Sequence, residues 1–230
     1  MSIRNKNIGI NNESSLHRTL KYRYAGPKGK IEAAVGEYVA DGIRQDGEYI
    51  EVQTGNFAPL MKKVKEFTAA GKVRIIHPVA VTKKIEVYAP SGAFLYSRKS
   101  PKKGSLWDIF DALLYAPELP LIRGVTIEVV LADITEKRVN DGKGARRRRG
   151  ISIQDRELSS WRESVVFKKP SDYLRFVPFK KNEEFTVSTL SELAGVDKWT
   201  ARKALYVLTK MKVVKRIGKK NRAWLYTRGK

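Results

Sequence analysis

The sequence contains no cysteine and only two histidines, His17 and His77, among its 230 residues. Without cysteine the chain can form neither a disulfide nor a thiolate zinc site, and two histidines are too few for a histidine-rich metal centre. Any bound metal is therefore expected to be a hard cation with oxygen ligands, such as Mg²⁺ or Mn²⁺.

Long apolar runs are also missing. No stretch reaches the roughly 18 uninterrupted apolar residues of a membrane span, because charged residues such as Asp108, Glu118 and Glu128 divide the most apolar region. The first residues, MSIRNKNIGINNESS, have no apolar core of the kind that a secretory signal needs. These absences predict a soluble, cytoplasmic protein with no membrane partner.

Acidic residues are scarce relative to basic ones. The chain has 46 Lys and Arg against 24 Asp and Glu, which gives a formal net charge of +22. A surface of this kind attracts polyanions, chiefly nucleic acid. The hydrophobic content of 42% is enough for a sizeable core, so a folded nucleic-acid-binding protein is expected.

The first half of the chain alternates between helix and strand patterns. A helix is predicted over residues 13–24, followed by two strand-like runs, VGEYVADGIR and EYIEVQT, on either side of Gln45-Asp46-Gly47. Asp-Gly between alternating apolar residues is a strong hairpin signal. A helix that begins after Pro59 and ends at Gly71 then leads to the strand VRIIHPVAV. The order strand, helix, strand predicts a parallel strand pair.

The remaining patterns divide the chain into three segments. Residues 1–136 contain a further hairpin (KKIEVYAPSGAFLYSRK), a helix (LWDIFDALLYA) and a strand (VTIEVVLAD), and they are predicted to form one α/β domain. Residues 137–182 show no clear periodicity and include the run Arg146–Arg149, so we interpret them as a basic linker or arm. Residues 183–230 show two helices and a hairpin, and they resemble a winged helix-turn-helix.

Two acidic residues near the Asp-Gly turn form a candidate site. Pairing around Asp46 places Asp41 opposite Glu51, and Gln53 shares the face of Glu51 because side chains alternate along a strand. Two facing carboxylates repel each other unless a cation lies between them. Gln53 cannot act as a general base, since an amide does not titrate, but it can orient water or a phosphate oxygen.

These residues and their order resemble the PD-(D/E)xK nuclease superfamily from about Glu13 to Val79. The resemblance implies that Glu13 is the acid of the first helix, Asp41 the invariant acid, and Glu51 with Gln53 the Glu-x-Lys pair. Asp41 and Glu51 would then be the metal ligands. Gln53 departs from the usual lysine, and Ala40 stands where the superfamily has proline. The implied fold is a restriction-endonuclease-like mixed sheet flanked by helices, and the implied activity is phosphodiester hydrolysis that leaves 5′-phosphates.

Less specific interpretations exist for the same residues. Asp41 and Glu51 could be solvated surface acids, and the glutamine could mark an inactive descendant of the superfamily. Glu13 and His17, four residues apart on one helix face, could be an ordinary surface pair. His77 lies in an apolar run and is interpreted as a buried, hydrogen-bonded histidine.

The C-terminal segment carries the stronger binding signal. From Lys198 to Lys230 there are twelve basic residues and no acid. Phosphate contacts are predicted for the second helix and for the hairpin, at Lys198, Arg202, Lys203, Lys219, Lys220 and Arg222. The prediction is therefore a metal-dependent DNA endonuclease, with homodimerisation left open. The alternatives are a non-catalytic DNA-binding regulator and an RNA-processing nuclease.

Overall fold

The computed structural model of the protein describes residues 13–229. Its helices are α1 (Ser15–Ala25), α2 (Leu60–Ala70), α3 (Ile109–Leu113), α4 (Val187–Ala194) and α5 (Lys198–Lys210). Its strands are β1 (Lys30–Val35), β2 (Tyr38–Ile43), β3 (Tyr49–Val52), β4 (Val73–Tyr88), β5 (Phe94–Lys99), β6 (Val125–Val139), β7 (Ser152–Phe167), β8 (Val214–Lys220) and β9 (Ala223–Arg228).

Seven of these strands form one mixed sheet. The order along it is β1-β2-β3-β4-β6-β7, and β5 pairs with the second half of β4. Strands β3, β4 and β6 run parallel, whereas the remaining pairs in this sheet are antiparallel. The prediction of an α/β fold with a mixed sheet flanked by helices is confirmed, and so is the parallel pair that flanks α2.

The two faces of the sheet carry different helices. Leu16 and Leu20 of α1 pack in a cluster with Ile76 of β4, whereas Val64 of α2 belongs to a second cluster with the neighbouring Ile75. Consecutive residues of a strand point to opposite faces. Helices α1 and α2 therefore cover opposite faces of the sheet, and β3 lies between them.

The C-terminal unit consists of α4, a three-residue turn, α5 and the β8–β9 hairpin, which is the predicted element order. It shares its core with the large sheet, because Ala204 and Leu208 of α5 belong to the same apolar cluster as Phe110 of α3. Phe176, in a 3-10 helix before the unit, packs edge to face against Phe110, with the ring centres 4.7 Å apart. The unit is therefore packed onto the sheet domain rather than tethered to it.

The interpretation of residues 137–182 as a linker needs correction. This segment contains the end of β6, all of β7 and a 3-10 helix (Pro170–Phe176). Strand β7 pairs with β6 along nearly its whole length, yet most of its residues are at least partly exposed. A strand that is exposed to solvent along much of its length lacks the regular alternation of apolar residues by which a strand is predicted from sequence.

Two other elements differ from the sequence prediction. The run VGEYVADGIR is not one strand, because the chain turns at Gly36-Glu37 and adds β1 at the sheet edge. The predicted strands VRIIHPVAV and KKIEVY are a single 16-residue strand, β4. Within residues 13–229, no helix combines the length and apolar character needed to cross a membrane.

Candidate active site

Asp41 and Glu51 lie side by side at the point where β2 and β3 separate. The ladder between these strands includes Gly42↔Ile50, which confirms the predicted register, but it does not continue past this pair. Beyond it, side-chain carboxylates rather than backbone carbonyls accept the hydrogen bonds of the backbone amides. The Asp41 carboxylate accepts the Val52 amide at 2.8 Å, and the Glu51 carboxylate accepts the Asp41 amide at 3.2 Å. The two carboxylates are therefore built into the strand junction.

The start of α1 is fixed above this junction. Ser14 caps the helix by accepting the His17 amide, and Ser15 donates its amide and hydroxyl to Asp155 of β7 at 2.7 and 2.5 Å. Helix α1 begins at Ser15, two residues before His17, rather than at Glu13, which precedes the cap. The anchored first turn directs His17 towards β3.

His17 connects α1 to the carboxylates. Its Nε2 lies 2.9 Å from the Val52 carbonyl oxygen and 3.2 Å from Asp41 Oδ2, while Nδ1 contacts Glu13. Glu13 also accepts the Lys21 ammonium at 2.8 Å. Since both ring nitrogens face oxygen acceptors, the geometry suits the doubly protonated imidazolium. Glu13, predicted as the first-helix acid, thus reaches Asp41 only through His17.

A lysine that sequence reasoning missed completes the group. Lys63 of α2 places its Nζ 2.7 Å from Glu51 Oε2, and the Glu51 side chain is only 3% exposed. The spacing of apolar residues in α2 could have identified Lys63, because it lies three residues after the core residue Leu60 and one before Val64. That position borders the buried face of the helix.

Gln53 is not brought to the carboxylates. It lies one residue beyond the end of β3, and its side-chain amide donates to the Asn56 carbonyl oxygen at 2.6 Å. Its backbone carbonyl meanwhile accepts from Nδ1 of His77 at 2.6 Å. The predicted cluster of Asp41, Glu51 and Gln53 is therefore correct for the two acids only.

The buried charges shift one another's pKa values. Burial, followed by repulsion from Asp41, raises the pKa of Glu51 to about 7. Burial would also raise the pKa of Asp41, but the hydrogen bond and charge of His17, the Val52 amide and the charge of Lys63 together outweigh it and lower that pKa. For His17, burial opposes the charge, yet the contacts with Asp41 and Glu13 raise the pKa to about 9. At neutral pH, His17 is therefore a cation paired with ionised Asp41.

The donor atoms at this junction are hard oxygens. The Asp41 and Glu51 carboxylates and the Val52 carbonyl lie close together, because the hydrogen bonds described above link these residues and His17. Such oxygens suit Mg²⁺ or Mn²⁺. Within residues 13–229, no three His, Asp or Glu side chains are grouped as a ready-made metal cage. The side chains at the junction thus provide two carboxylate groups as possible ligands for a cation, those of Asp41 and Glu51.

The predicted phosphate-binding residues have different surroundings. Lys198 and Arg202 are exposed on α5, and Lys219, Lys220 and Arg222 are exposed on the β8–β9 hairpin. Lys203 differs from the expectation that it is free, because its ammonium forms an ion pair with Asp111 near α5 and its side chain is 13% exposed. Lys203 therefore holds α5 against α3 rather than standing free in solvent.

Exposed aromatic rings accompany these cations. Trp199 and Tyr206 of α5 are 64% and 47% exposed and follow the spacing of Arg202 along one helix face. On the hairpin, Trp224 lies between Arg216 and Lys219, whose charged groups are 4.1 and 4.3 Å from its ring centre. Aromatic faces interleaved with cations suit contacts with bases and phosphates.

Comparisons with known proteins find relatives but no assigned activity. Residues 14–168, which are 155 of the 230, match the model of a family described as a domain of unknown function, DUF8091. An uncharacterized protein of Treponema pallidum (strain Nichols) is 28% identical over 181 residues, which span 78% of this chain and 72% of that protein. No solved structure matches.

The His17–Asp41 pair can be tested by titration. Because Asp41 makes the strongest contact that raises the His17 pKa, Asp41→Asn is expected to lower this pKa from about 9 by ~1 unit or more. A pKa raised in the folded state stabilises the fold below pH 6.5, and this contribution is lost as the pH rises towards 9. Long-range ¹H–¹⁵N NMR of the imidazole rings measures the shift.

The buried His77 serves as an internal control in the same spectra, because burial lowers its pKa and it has no contact with Asp41 in the described structure. If His17 titrates near pH 9 in Asp41→Asn as well, the carboxylate is not what holds its proton.

Proposed function

Because this chain belongs to the DUF8091 family, a domain of unknown function, we propose its activity from its own site: metal-dependent endonucleolytic cleavage of DNA. The observation that carries the proposal is the strand junction, where two largely buried carboxylates on adjacent strands meet an ammonium group from a neighbouring helix. Buried groups with strongly shifted pKa values are more often found at functional sites than elsewhere.

The position of Lys63 bears on the resemblance to the PD-(D/E)xK superfamily. In that pattern the third group is a lysine two residues after the second acid, and here that residue is Gln53. Lys63 brings an ammonium to Glu51 at 2.7 Å from a different element. The chemical set of two carboxylates and one lysine is therefore present, although the lysine lies on α2, twelve residues after Glu51, rather than two residues after it.

Asp41, Glu51 and the Val52 carbonyl would hold the cation, with water completing its coordination, as is usual for Mg²⁺. When bound there, the ion would lower the pKa of a water molecule and polarise the phosphodiester. The ammonium of Lys63 would hold a phosphate oxygen, and its charge favours the ionised form of Glu51 against the burial that raises this pKa to about 7. His17 would orient Asp41 from the α1 side through the contact at 3.2 Å.

The C-terminal unit would deliver this site to DNA as a winged helix. Support comes from the element order and from the run of basic residues that contains no acid after Asp197. The exposed Lys198 and Arg202 on α5 and the cations of the β8–β9 hairpin face solvent, where phosphates can reach them. The packing of α5 against α3 would hold bound DNA in a fixed relation to the junction.

A non-catalytic DNA-binding role is the second candidate. It is favoured by the ion pairs that His17 and Lys63 already make with the two carboxylates, which balance the charge without a metal. Incubating the full chain with plasmid DNA, single-stranded DNA and RNA in Mg²⁺, in Mn²⁺ and in chelator decides between the two. Cleavage that needs the metal supports the nuclease, and the substrate range separates DNA cleavage from RNA processing.

Asp41→Asn is expected to abolish cleavage while DNA binding is retained or tightened. The amide can still accept the Val52 hydrogen bond, so the junction is kept, but the negative charge that would hold the cation is removed. Removal of that charge also reduces repulsion of the phosphate. Plasmid cleavage and an electrophoretic binding assay measure the two properties. Full-rate metal-dependent cleavage by the variant would show that Asp41 has been assigned wrongly.

Lys63→Ala should lower the cleavage rate roughly 100-fold, the usual cost of removing one charged donor from a developing anion. Lys65→Ala is the matched control, because Lys65 is exposed on the same helix and its removal changes the net charge equally. Gln53→Ala should behave like this control, since its side chain faces Asn56. Single-turnover rates for the three variants make the comparison, and equal reductions for Lys63→Ala and Lys65→Ala would contradict the role given to Lys63.

The hairpin cations are tested by salt dependence. The triple variant Lys219→Ala, Lys220→Ala and Arg222→Ala should weaken DNA binding and lower the slope of log K against log salt by about 0.9 for each phosphate that the variant no longer binds. Point changes at these exposed positions are preferable to deletion, because the C-terminal unit shares its core with the sheet. Replacing Lys28, Lys62 and Lys72, exposed lysines outside this unit, gives the charge-matched control. An identical slope in the two triple variants would rule out the hairpin as the DNA-binding element.

A further inference from the structure

Strand β4 has a gap along one edge. Its pairing with β3 ends at Ile76, and its pairing with β5 begins at Lys84. The chain after β5 crosses this gap, where Gly104 donates to the Ala80 carbonyl oxygen at 2.8 Å. A Cβ at residue 104 would lie 2.5 Å from that same oxygen, so only glycine fits the crossing. The gap leaves open space beside β4.

This space is a cavity of about 320 Å³, at the lower end of the range of ~300–1,000 Å³ for small-ligand sites. Its polar lining side chains are Thr54, Asn56, His77, Lys83, Lys102, Asp108 and Asp111. The loop after β3 forms one wall, and the segment that leads into α3 forms another. The cavity therefore lies between the strand that carries Glu51 and the helix that contacts α5.

His77 supplies an unused acceptor in this cavity. The side chain is 6% exposed, and its Nδ1 lies 2.6 Å from the Gln53 carbonyl oxygen, which can only accept. Burial lowers the pKa of His77, so the ring is neutral and Nε2 carries a lone pair. Within residues 13–229 no hydrogen bond to Nε2 is formed. This lone pair is therefore available to a hydrogen-bond donor that enters the cavity.

The other lining groups add donors and charge. Asn56 uses its Oδ1 to accept the Ala58 amide at 3.1 Å, which leaves its NH₂ group as a donor at the cavity. Asp108 is a partly buried carboxyl, Lys102 is an exposed cation, and Lys83 lies 3.4 Å from Glu136. Donors and acceptors placed side by side suit the hydrogen-bonding edge of a nucleobase, and Lys102 suits its phosphate.

The cavity is close to the carboxylate junction. Gln53, which holds His77, is two residues after Glu51, a distance of about 7 Å along a strand. We propose that this cavity receives an unpaired nucleobase of the strand whose phosphate lies at Asp41 and Glu51. The site would then prefer DNA with an unpaired or bulged base, since a base inside a duplex cannot enter it without the cost of unstacking. This proposal rests on the proposed nuclease function for the position of the strand.

The test measures binding by the full chain in chelator, so that no cleavage is needed. Two duplexes of equal length are compared, one fully paired and one with a single bulged 2-aminopurine, whose fluorescence reports its stacking. We expect the bulged duplex to bind roughly tenfold more tightly, which corresponds to about 1.4 kcal/mol. The 2-aminopurine emission should change on binding as the base moves from the helix to the cavity.

Two variants assign the preference to the cavity. His77→Phe removes the acceptor but keeps an aromatic ring against Phe57, and Asn56→Asp keeps the cap on Ala58 while removing the donor. Each should reduce the preference to about twofold or less. Lys72→Ala, which removes a lysine from a depression at the end of α2, is the control and should leave the ratio of the two affinities unchanged.

The outcomes separate the two proposals. Equal affinity for the bulged and paired duplexes overturns the base-binding cavity, whatever the cleavage assay gives. A preference that survives in both His77→Phe and Asn56→Asp also overturns it, and thermal unfolding of the variants shows that they are folded. If the preference depends on His77 and Asn56 but no cleavage occurs with Mg²⁺ or Mn²⁺, the cavity stands and the nuclease function fails.

Discussion

The site depends on the separation of β2 from β3. At this point the backbone ladder stops, and the carboxylates of Asp41 and Glu51 accept the amides that would otherwise lack partners. A carboxylate that replaces a strand partner must be buried, and a buried charge needs a counter-charge. The two acids therefore require the cations His17 and Lys63. These cations lie on α1 and α2, so each of the two helices must place one cationic side chain at the junction.

The sheet makes this arrangement of helices possible. Because α1 and α2 cover opposite faces, each can reach one carboxylate at the junction without crowding the other. Ser15 and Asp155 bind the start of α1 to β7, while Val64 and Phe67 bury α2 against the other face. Removal of one cation would leave a buried carboxylate without its counter-charge, which generally costs more than a surface pair contributes.

The long strand β4 links the junction to the rest of the molecule. It pairs with β3 beside the carboxylates and with β5 farther along, and the gap between them forms the cavity lined by His77. Asp111 lies on the far side of this cavity and forms an ion pair with Lys203 of α5. Junction, cavity and α5 are thus neighbours in the structure and are connected through β4 and α3.

The sequence alone determined what depends on local geometry. The Asp-Gly turn sets the register of β2 and β3, and register in a hairpin follows from the turn, so the meeting of Asp41 and Glu51 was predictable. The α/β class followed from periodicity. The sequence did not predict strand β7, because most of its residues are at least partly exposed and lack an apolar alternation.

Only the tertiary structure decided which side chains join the two acids. Gln53 has the motif spacing, but it lies beyond the end of β3 and turns to Asn56. Lys63 is twelve residues from Glu51 in the sequence and 2.7 Å away in space. The sequence predicted that Lys203 is free on its helix, but in the structure it forms an ion pair with Asp111 of α3. Each of these outcomes depends on how one element packs against another, and packing is set by the whole core rather than by any local pattern.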